Sequence, residues 1–201
     1  MSKNSQKIFT VGITGASGAI YGVRLVKALL HEGHRVHLLL TGAAWQVLYY
    51  ELQADTSNED KCIVDVFGDH DELHYHTQQD FGAPIASGSA KNDGMIIIPC
   101  SMGTLAKIAN GISSNLLERT ADVMFKERRR LIIVPRETPL HSTHLENMKK
   151  ISDQGGQIVP AMPGFYHNPQ SMDDLINFVV GKVLDQLDVD HTLFERWGDM
   201  T

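Results

Sequence analysis

Three short stretches combine small residues, hydroxyls and charge in ways that suit chemistry. The first is Thr14-Gly15-Ala16-Ser17-Gly18-Ala19. Small residues let the backbone approach a ligand, and a helix start behind them favours an anion. The stretch is neither GxGxxG nor a GxxxxGK phosphate loop. A dinucleotide site would also want an acid about 20 residues on, after the second strand. Leu40 and Thr41 stand there instead, so a mononucleotide such as FMN is the better fit. Close helix–strand packing is the other use for such glycines. The second stretch is Pro99-Cys100-Ser101-Met102-Gly103-Thr104. Ser101 and Thr104 offer hydroxyls at another helix start, where capping is the plainer role. Cys100 has no base beside it in sequence and reads as a buried structural thiol. The third is Arg136-Glu137-Thr138-Pro139. Arginine suits phosphate and glutamate can move protons; a local ion pair at the sheet rim is the alternative.

Further candidates lie outside these turns. Arg119 and Lys126 are seven residues apart, so on a helix they share a face and could hold an anion, or lie solvated. Arg128-Arg129-Arg130 reads as solvated surface beside a helix C-terminus. Tyr166 puts a phenol in the Pro163-Gly164-Phe165-Tyr166 turn. Among ten histidines, His74 and His76 flank Tyr75, and His141 and His144 are three apart. No matching carboxylate or cysteine cluster accompanies either pair in sequence, so no metal site is expected.

Short apolar runs alternating with amphipathic segments must position these residues. Strands are expected at Ile8–Ile13, His34–Leu40, Met95–Pro99, Leu131–Pro135 and Ile158–Pro160. Helices are expected at Ala19–His31, Ala43–Leu52, Ser101–Ala109, Leu116–Arg129 and Ser171–Leu187. Gly33 is placed to end the first helix, and Ser171 to cap the last. Runs apolar on both faces belong to a parallel sheet covered by helices. The fold class is therefore α/β: a three-layer open parallel sheet, Rossmann-like or flavodoxin-like. In such a sheet ligands bind at the carboxyl ends of the strands, where all three turns fall. Residues 53–93 read as a partly irregular excursion, with nine acids against one base between Glu51 and Asp80.

The chain has 201 residues, 42% hydrophobic and 21% charged, which fits one globular domain over 1–201 with an extended C-terminal helix and tail. With 18 Lys and Arg against 24 Asp and Glu, the net charge is −6 and a general nucleic-acid binder is disfavoured. Cys62 and Cys100 form neither a disulfide scaffold nor a CxxC motif. Met1–Lys7 is polar, and no stretch approaches a membrane span. A cytoplasmic location is expected.

Several long motifs in order carry a family resemblance. GITGASGAIYG (12–22), APIASGS (83–89), IIPCSMGTLAKIANG (97–111), NLLERTADVMFKERR (115–129), VPRETPLHSTHLENM (134–148) and PAMPGFYHNPQS (160–171) resemble the UbiX family of flavin prenyltransferases. The resemblance runs from about residue 8 to Trp197 and is thin over 53–79. It implies an enzyme that joins the dimethylallyl group of dimethylallyl monophosphate to N5 and C6 of reduced FMN, without metal. The product, prenylated FMN, would go to a UbiD-type decarboxylase, for example in ubiquinone biosynthesis. The family also implies a homo-oligomer, typically a dodecamer, with the site between subunits.

Carried onto this chain, the resemblance gives Gly15, Ala16, Ser17, Thr41, Ser101, Met102, Gly103, Thr104 and Arg136 to FMN. It gives Ser87, Arg119, Lys126, Arg136, Tyr166 and Lys182 to the prenyl phosphate. Ser17, Glu51 and Glu137 would handle protons, Lys126 would assist at the phosphate, and Trp197 would line the prenyl pocket. Lys182 stands where many members carry arginine, which keeps the charge and loses the fork. Competing readings are an FMN-dependent decarboxylase of the aromatic-acid or cysteine type and a non-catalytic flavin-binding subunit. The KERR…PRETPL stretch weighs against the cysteine decarboxylases. A passive flavin carrier has no use for a second anion site.

Overall fold

A computed structural model describes residues 5–198; residues 1–4 and 199–201, the ends of the expected domain, lie outside the described residues. Six parallel strands form one sheet in the order β3-β2-β1-β4-β5-β6: β1 Ile8–Ile13, β2 Arg35–Leu40, β3 Leu73–His76, β4 Gly94–Cys100, β5 Leu131–Pro135 and β6 Gln157–Ile158. This is a doubly wound order that reverses direction between β1 and β4. All residues of β4 and β5 are buried, as strands covered on both faces must be.

The helices divide between the two faces. Helices α1 Ala19–His31, α2 Gly42–Leu52, α3 Glu59–Phe67 and α7 Met172–Gln186 pack with Phe9, Val11, Ile13, Ile96, Ile98, Ile132 and Val134. Helices α4 Met102–Ala109, α5 Leu116–Lys126 and α6 Ser142–Asp153 cover Met95, Ile97, Leu131 and Ile133 on the other face. Alternate strand residues thus feed two cores, the period-two pattern of a sheet between helix layers. The expected three-layer α/β class is the observed one.

Helix ends follow local chemistry. After α1 the amides of Gly33 and His34 return to the carbonyls of Leu30 and Leu29, each at 3.0 Å. Ser171 and Asp174 form a reciprocal capping box on α7. Beyond α7 the chain doubles back along it. Phe194 packs beside Gly181, and Arg196 and His191 both engage Asp185, at 2.8 and 3.1 Å.

Residues 53–93 are partly irregular, as expected, and also hold α3, β3 and a 3-10 turn over Pro84–Ala86 that their sequence does not announce. The face that α3 buries is only Cys62, Ile63 and Phe67, too small to show through its acidic surroundings. Helix α5 stops at Lys126 instead of Arg129, because Arg128 adopts a left-handed φ of 54° and turns the chain. A helix absent from the sequence reading, α6, buries just Asn147 and Ile151 and lacks an apolar stripe.

The outer strands bring histidines together. His37 Nδ1 lies 2.8 Å from His76 Nε2, with the His74 ring 5.5 Å from that of His37. Burial, then repulsion from His76, His74 and Arg35, pushes the His37 pKa down to about 4. Burial also lowers that of His76, against the pull of Asp80. The unfolded chain takes up protons near pH 6.5 that folded His37 refuses until about 4. The stabilisation from neutral His37 is therefore present above pH 6.5 and lost as pH falls towards 4. Urea unfolding at pH 7.5 and pH 5 should show this loss. His37→Gln should shrink it by roughly 1 kcal/mol, solvent screening allowed for. An equal loss in both proteins would place the acid sensitivity elsewhere.

Candidate active site at the carboxyl edge of the sheet

The ends of β2, β1, β4 and β5, and the segment that follows β6, are laced together side by side. The Thr41 amide after β2 donates to Ile13 O at the end of β1, at 3.1 Å. Thr14 Oγ1 donates to Pro99 O and accepts from the Ser101 amide, both at 2.8 Å. The Arg136 amide after β5 donates to Cys100 O at 3.3 Å, and the Ala161 amide to Pro135 O at 3.1 Å. Thr14 is fully buried, so its hydroxyl needs both partners.

Three helices start on this edge, and their partial positive ends favour an anion there. Thr41 caps α2 by accepting from the Ala44 amide, and Ser101 caps α4 by accepting from the Thr104 amide. Ser101 Oγ also donates to Thr104 Oγ1 at 3.1 Å. The α1 start has Gly18 at its cap position, at φ 103°, with no side chain to serve. Glu51 fills that role from the last turn of α2. Its carboxylate accepts from the Gly18 and Ala19 amides at 2.9 and 3.0 Å. Arg136 Nε donates to Ser17 O at 3.1 Å, joining the third turn to the first. Ser17 and Gly15 are exposed while Ala16 is buried. A Cβ on Gly15 would collide with that of Ala43, so the turn lies directly against the start of α2.

Other expected residues occupy this edge differently. The Met102 side chain is buried in the core, so only its backbone is left at the helix start, whereas Gly103 opens onto free space. Glu137 is exposed and accepts from its neighbour's amide, Thr138 N, at 3.0 Å. Cys100 is fully buried, and burial pushes its thiol pKa upward, which suits a structural thiol.

Ser87, Arg119 and Lys126 form a second cluster. Arg119 Nε donates to Ala86 O at 3.1 Å and pairs with Asp122 at 2.8 Å. Lys126 pairs with Glu127, and this contact holds the Glu127 carboxyl below its usual range. Lys126 ends α5, with four residues between it and the start of β5. It therefore lies at the amino ends of the strands, roughly 15–20 Å along the sheet from the laced edge. One chain does not bring Lys126 to Ser17.

Tyr166 and Trp197 form a third group. Their rings meet edge to face at 5.3 Å, and Tyr166 also meets Phe178 at 5.7 Å. Trp197 is 76% exposed, so in the single chain it is an open aromatic surface. Lys182 pairs with Asp185 at 3.5 Å, further along α7.

A flavoprotein family model matches residues 1–184. A flavin prenyltransferase UbiX from Alkalihalophilus pseudofirmus is 62% identical over 99% of this chain and 100% of its own. The chain belongs to the UbiX family. The crystal structure of AnUbiX (PadA1) in complex with FMN and dimethylallyl pyrophosphate is 41% identical, with a TM-score of 0.87 over 96% of this chain and 98% of that one. A dodecameric FMN-dependent UbiX-like decarboxylase from Escherichia coli O157:H7 is 41% identical, with a TM-score of 0.85 over 94% and 98%.

Two residues of this UbiX chain escaped the sequence reading. Thr14 looked like the start of a loop, yet a buried hydroxyl directly after a strand is a signal for a strand-end bridge. Arg129 looked like solvent-facing charge. It is half-buried, and its guanidinium donates to Ala90 O at 2.7 Å and Gly88 O at 2.6 Å. Neighbouring Arg130 pairs with Asp188 at 2.9 Å.

Replacing Thr14 by valine keeps the shape and removes the bridge. The Ser101 amide then loses its hydroxyl partner, a cost of about 1–3 kcal/mol. Thr14→Val should unfold earlier in urea by that amount, and Thr14→Ser should recover most of it. An unchanged midpoint in Thr14→Val would show that the bridge does not hold the edge.

Proposed function

We propose that this chain is a metal-independent flavin prenyltransferase, carried by one α/β domain. It transfers the dimethylallyl group of dimethylallyl monophosphate to N5 and C6 of reduced FMN and releases inorganic phosphate. The observation that carries this reading is the pair of separate anion-favouring regions. One is the edge where three helices start beside Ser17 and Arg136. The other is the Ser87, Arg119 and Lys126 cluster, whose cations are paired here with Asp122 and Glu127 and would turn to the phosphate. A flavin carrier needs one such region, and an enzyme joining FMN to a prenyl phosphate needs two.

The carboxyl edge suits FMN by its donors. Exposed Ser17, the hydroxyls of Thr41, Ser101 and Thr104, the open backbone at Gly103 and the Arg136 guanidinium would hold it, with Gly15, Ala16 and Met102 N–H groups at close approach. Reduced FMN supplies two electron-rich centres, N5 and C6. Arg119, Lys126, Arg136, Lys182, the Ser87 hydroxyl and the Tyr166 phenol would meet the charge that grows on the leaving phosphate as its carbon–oxygen bond breaks. Trp197 would face the allylic cation with its π surface and exclude water. The first bond releases the N5 proton, which would pass to the departing phosphate, and the second requires one proton to reach the prenyl double bond and one to leave C6. Glu137 and Glu51, with the Ser17 hydroxyl and the departed phosphate, would carry that traffic. Lys182 in place of a fork keeps the charge and gives up bidentate grip.

Lys126 and Arg136 lie at opposite ends of the sheet in one chain, so a complete site draws on more than one copy. The dodecameric E. coli neighbour supports such an assembly, and the AnUbiX complex supports the pairing of FMN with a dimethylallyl donor. The product would pass to a UbiD-type decarboxylase. A cytoplasmic setting fits two free, buried cysteines, and among the described residues no helix is long and apolar enough to cross a membrane.

Anaerobic incubation with reduced FMN and dimethylallyl monophosphate, without metal, should add one five-carbon unit to the flavin, read by mass spectrometry. Glu137→Gln should slow this about 100-fold with FMN binding unchanged. Unmodified flavin in the wild type, with FMN confirmed bound, would reject the transferase reading.

A further inference from the structure

The turn that carries Ser87 is gripped from behind. Residues 87–90 form a tight turn closed by the Ala90 amide donating to Ser87 O at 3.3 Å. Arg129 donates one nitrogen to Gly88 O at 2.6 Å and another to Ala90 O at 2.7 Å. Arg119 holds the preceding Ala86 O at 3.1 Å. Three carbonyls that would repel an anion are thus tied to guanidinium groups. The hydroxyls of Ser87 and Ser89 sit 2.9 Å apart on the exposed side. The paired Glu127 carboxylate and Lys126 ammonium lie over Gly88; a Cβ there would collide first with Glu127 Oε1 and come within 2.7 Å of Lys126 Nζ. A side chain at position 88 would therefore displace the Lys126–Glu127 pair.

We infer that Arg129 is a positioning residue for the phosphate of the prenyl donor. It withdraws the Gly88 and Ala90 carbonyl lone pairs and fixes the Ser87–Ser89 turn beside Lys126. A planar fork can bind two carbonyls at once, which an ammonium group cannot match. The inference rests on the reading of Ser87 and Lys126 as phosphate ligands. Arg129 itself need not touch the substrate.

Steady-state prenylation by Arg129→Ala and Arg129→Lys tests this on the assembled enzyme. Both should raise KM for dimethylallyl monophosphate, by about tenfold for alanine, which corresponds to about 1.4 kcal/mol. At saturating donor, kcat should stay within threefold, and FMN affinity should not change. Millimolar guanidinium should lower the KM of Arg129→Ala and leave the wild type unaffected. Gly88→Ala, with Arg129 intact, should raise KM in the same way by displacing the Lys126–Glu127 pair from the turn. Lys126→Ala is measured alongside. If it raises KM while both Arg129 variants do not, the positioning role is overturned and the phosphate reading stands. If Lys126→Ala leaves KM unmoved, the phosphate reading itself fails. Parallel losses of FMN affinity, kcat and thermal midpoint in Arg129→Lys, without guanidinium rescue in Arg129→Ala, would assign Arg129 a purely structural role and overturn the inference.

Discussion

A single buried hydroxyl, Thr14 Oγ1, donates to the Pro99 carbonyl and accepts from the Ser101 amide at the place where the strand order reverses. An open sheet that reverses there leaves a crevice, because the chain departs to opposite faces on either side. The crevice is useful only if its two walls keep a fixed separation. Thr14 supplies that fixity without blocking the opening, since its bonds run within the rim. The neighbouring links from Thr41 to Ile13 and from Arg136 to Cys100 extend the same lacing across four strands. Ser17, Ser101 and Arg136 owe their mutual positions to this row of bonds.

Electrostatics then decide what the rim prefers. Three helix starts leave amide hydrogens pointing to one edge, and Glu51 already answers the one at Gly18 and Ala19. The carboxylate is held at two amides beside Ser17, so its place does not depend on a ligand. Glu137 is different: it is exposed and bonded only to the amide next to it among the hydrogen bonds described. One acid is fixed in the frame and the other can turn without breaking a long-range contact. A reaction that must both deliver and remove a proton is served by that difference.

Much of this was legible in the sequence because each element had one clear period. The runs at Ile8–Ile13, apolar but for Thr10, and Leu131–Pro135 end where the structure ends them. Ala19–His31 shows its buried stripe and its stop at Gly33. The elements that were missed lack such a signal. Helix α3 hides three buried residues among acids, β3 is Leu-His-Tyr-His at the sheet edge, and α6 is polar nearly all round. Within the site, residue types foretold which turns matter and not which contacts they make. Arg128, Arg129 and Arg130 are alike as letters. The left-handed φ at Arg128 sends the next two in different directions, one to the 86–90 turn and one to Asp188.

If Lys126 serves the prenyl phosphate as proposed, its separation from the laced edge would give assembly a chemical role. Strands of five to seven residues set the distance between the two ends of the sheet, and no side chain spans it. A folded monomer can offer the carboxyl edge to a flavin and still lack the cations of α5 at that place. On the proposed reading, another copy packed against the edge would supply them and would cover exposed aromatic surface such as Trp197, removing water from the reacting centre. In a site built this way the ionising phosphate meets its full set of cations only inside the oligomer. A free chain would then bind flavin without splitting the prenyl donor, which keeps a reactive allylic cation from forming where water can capture it.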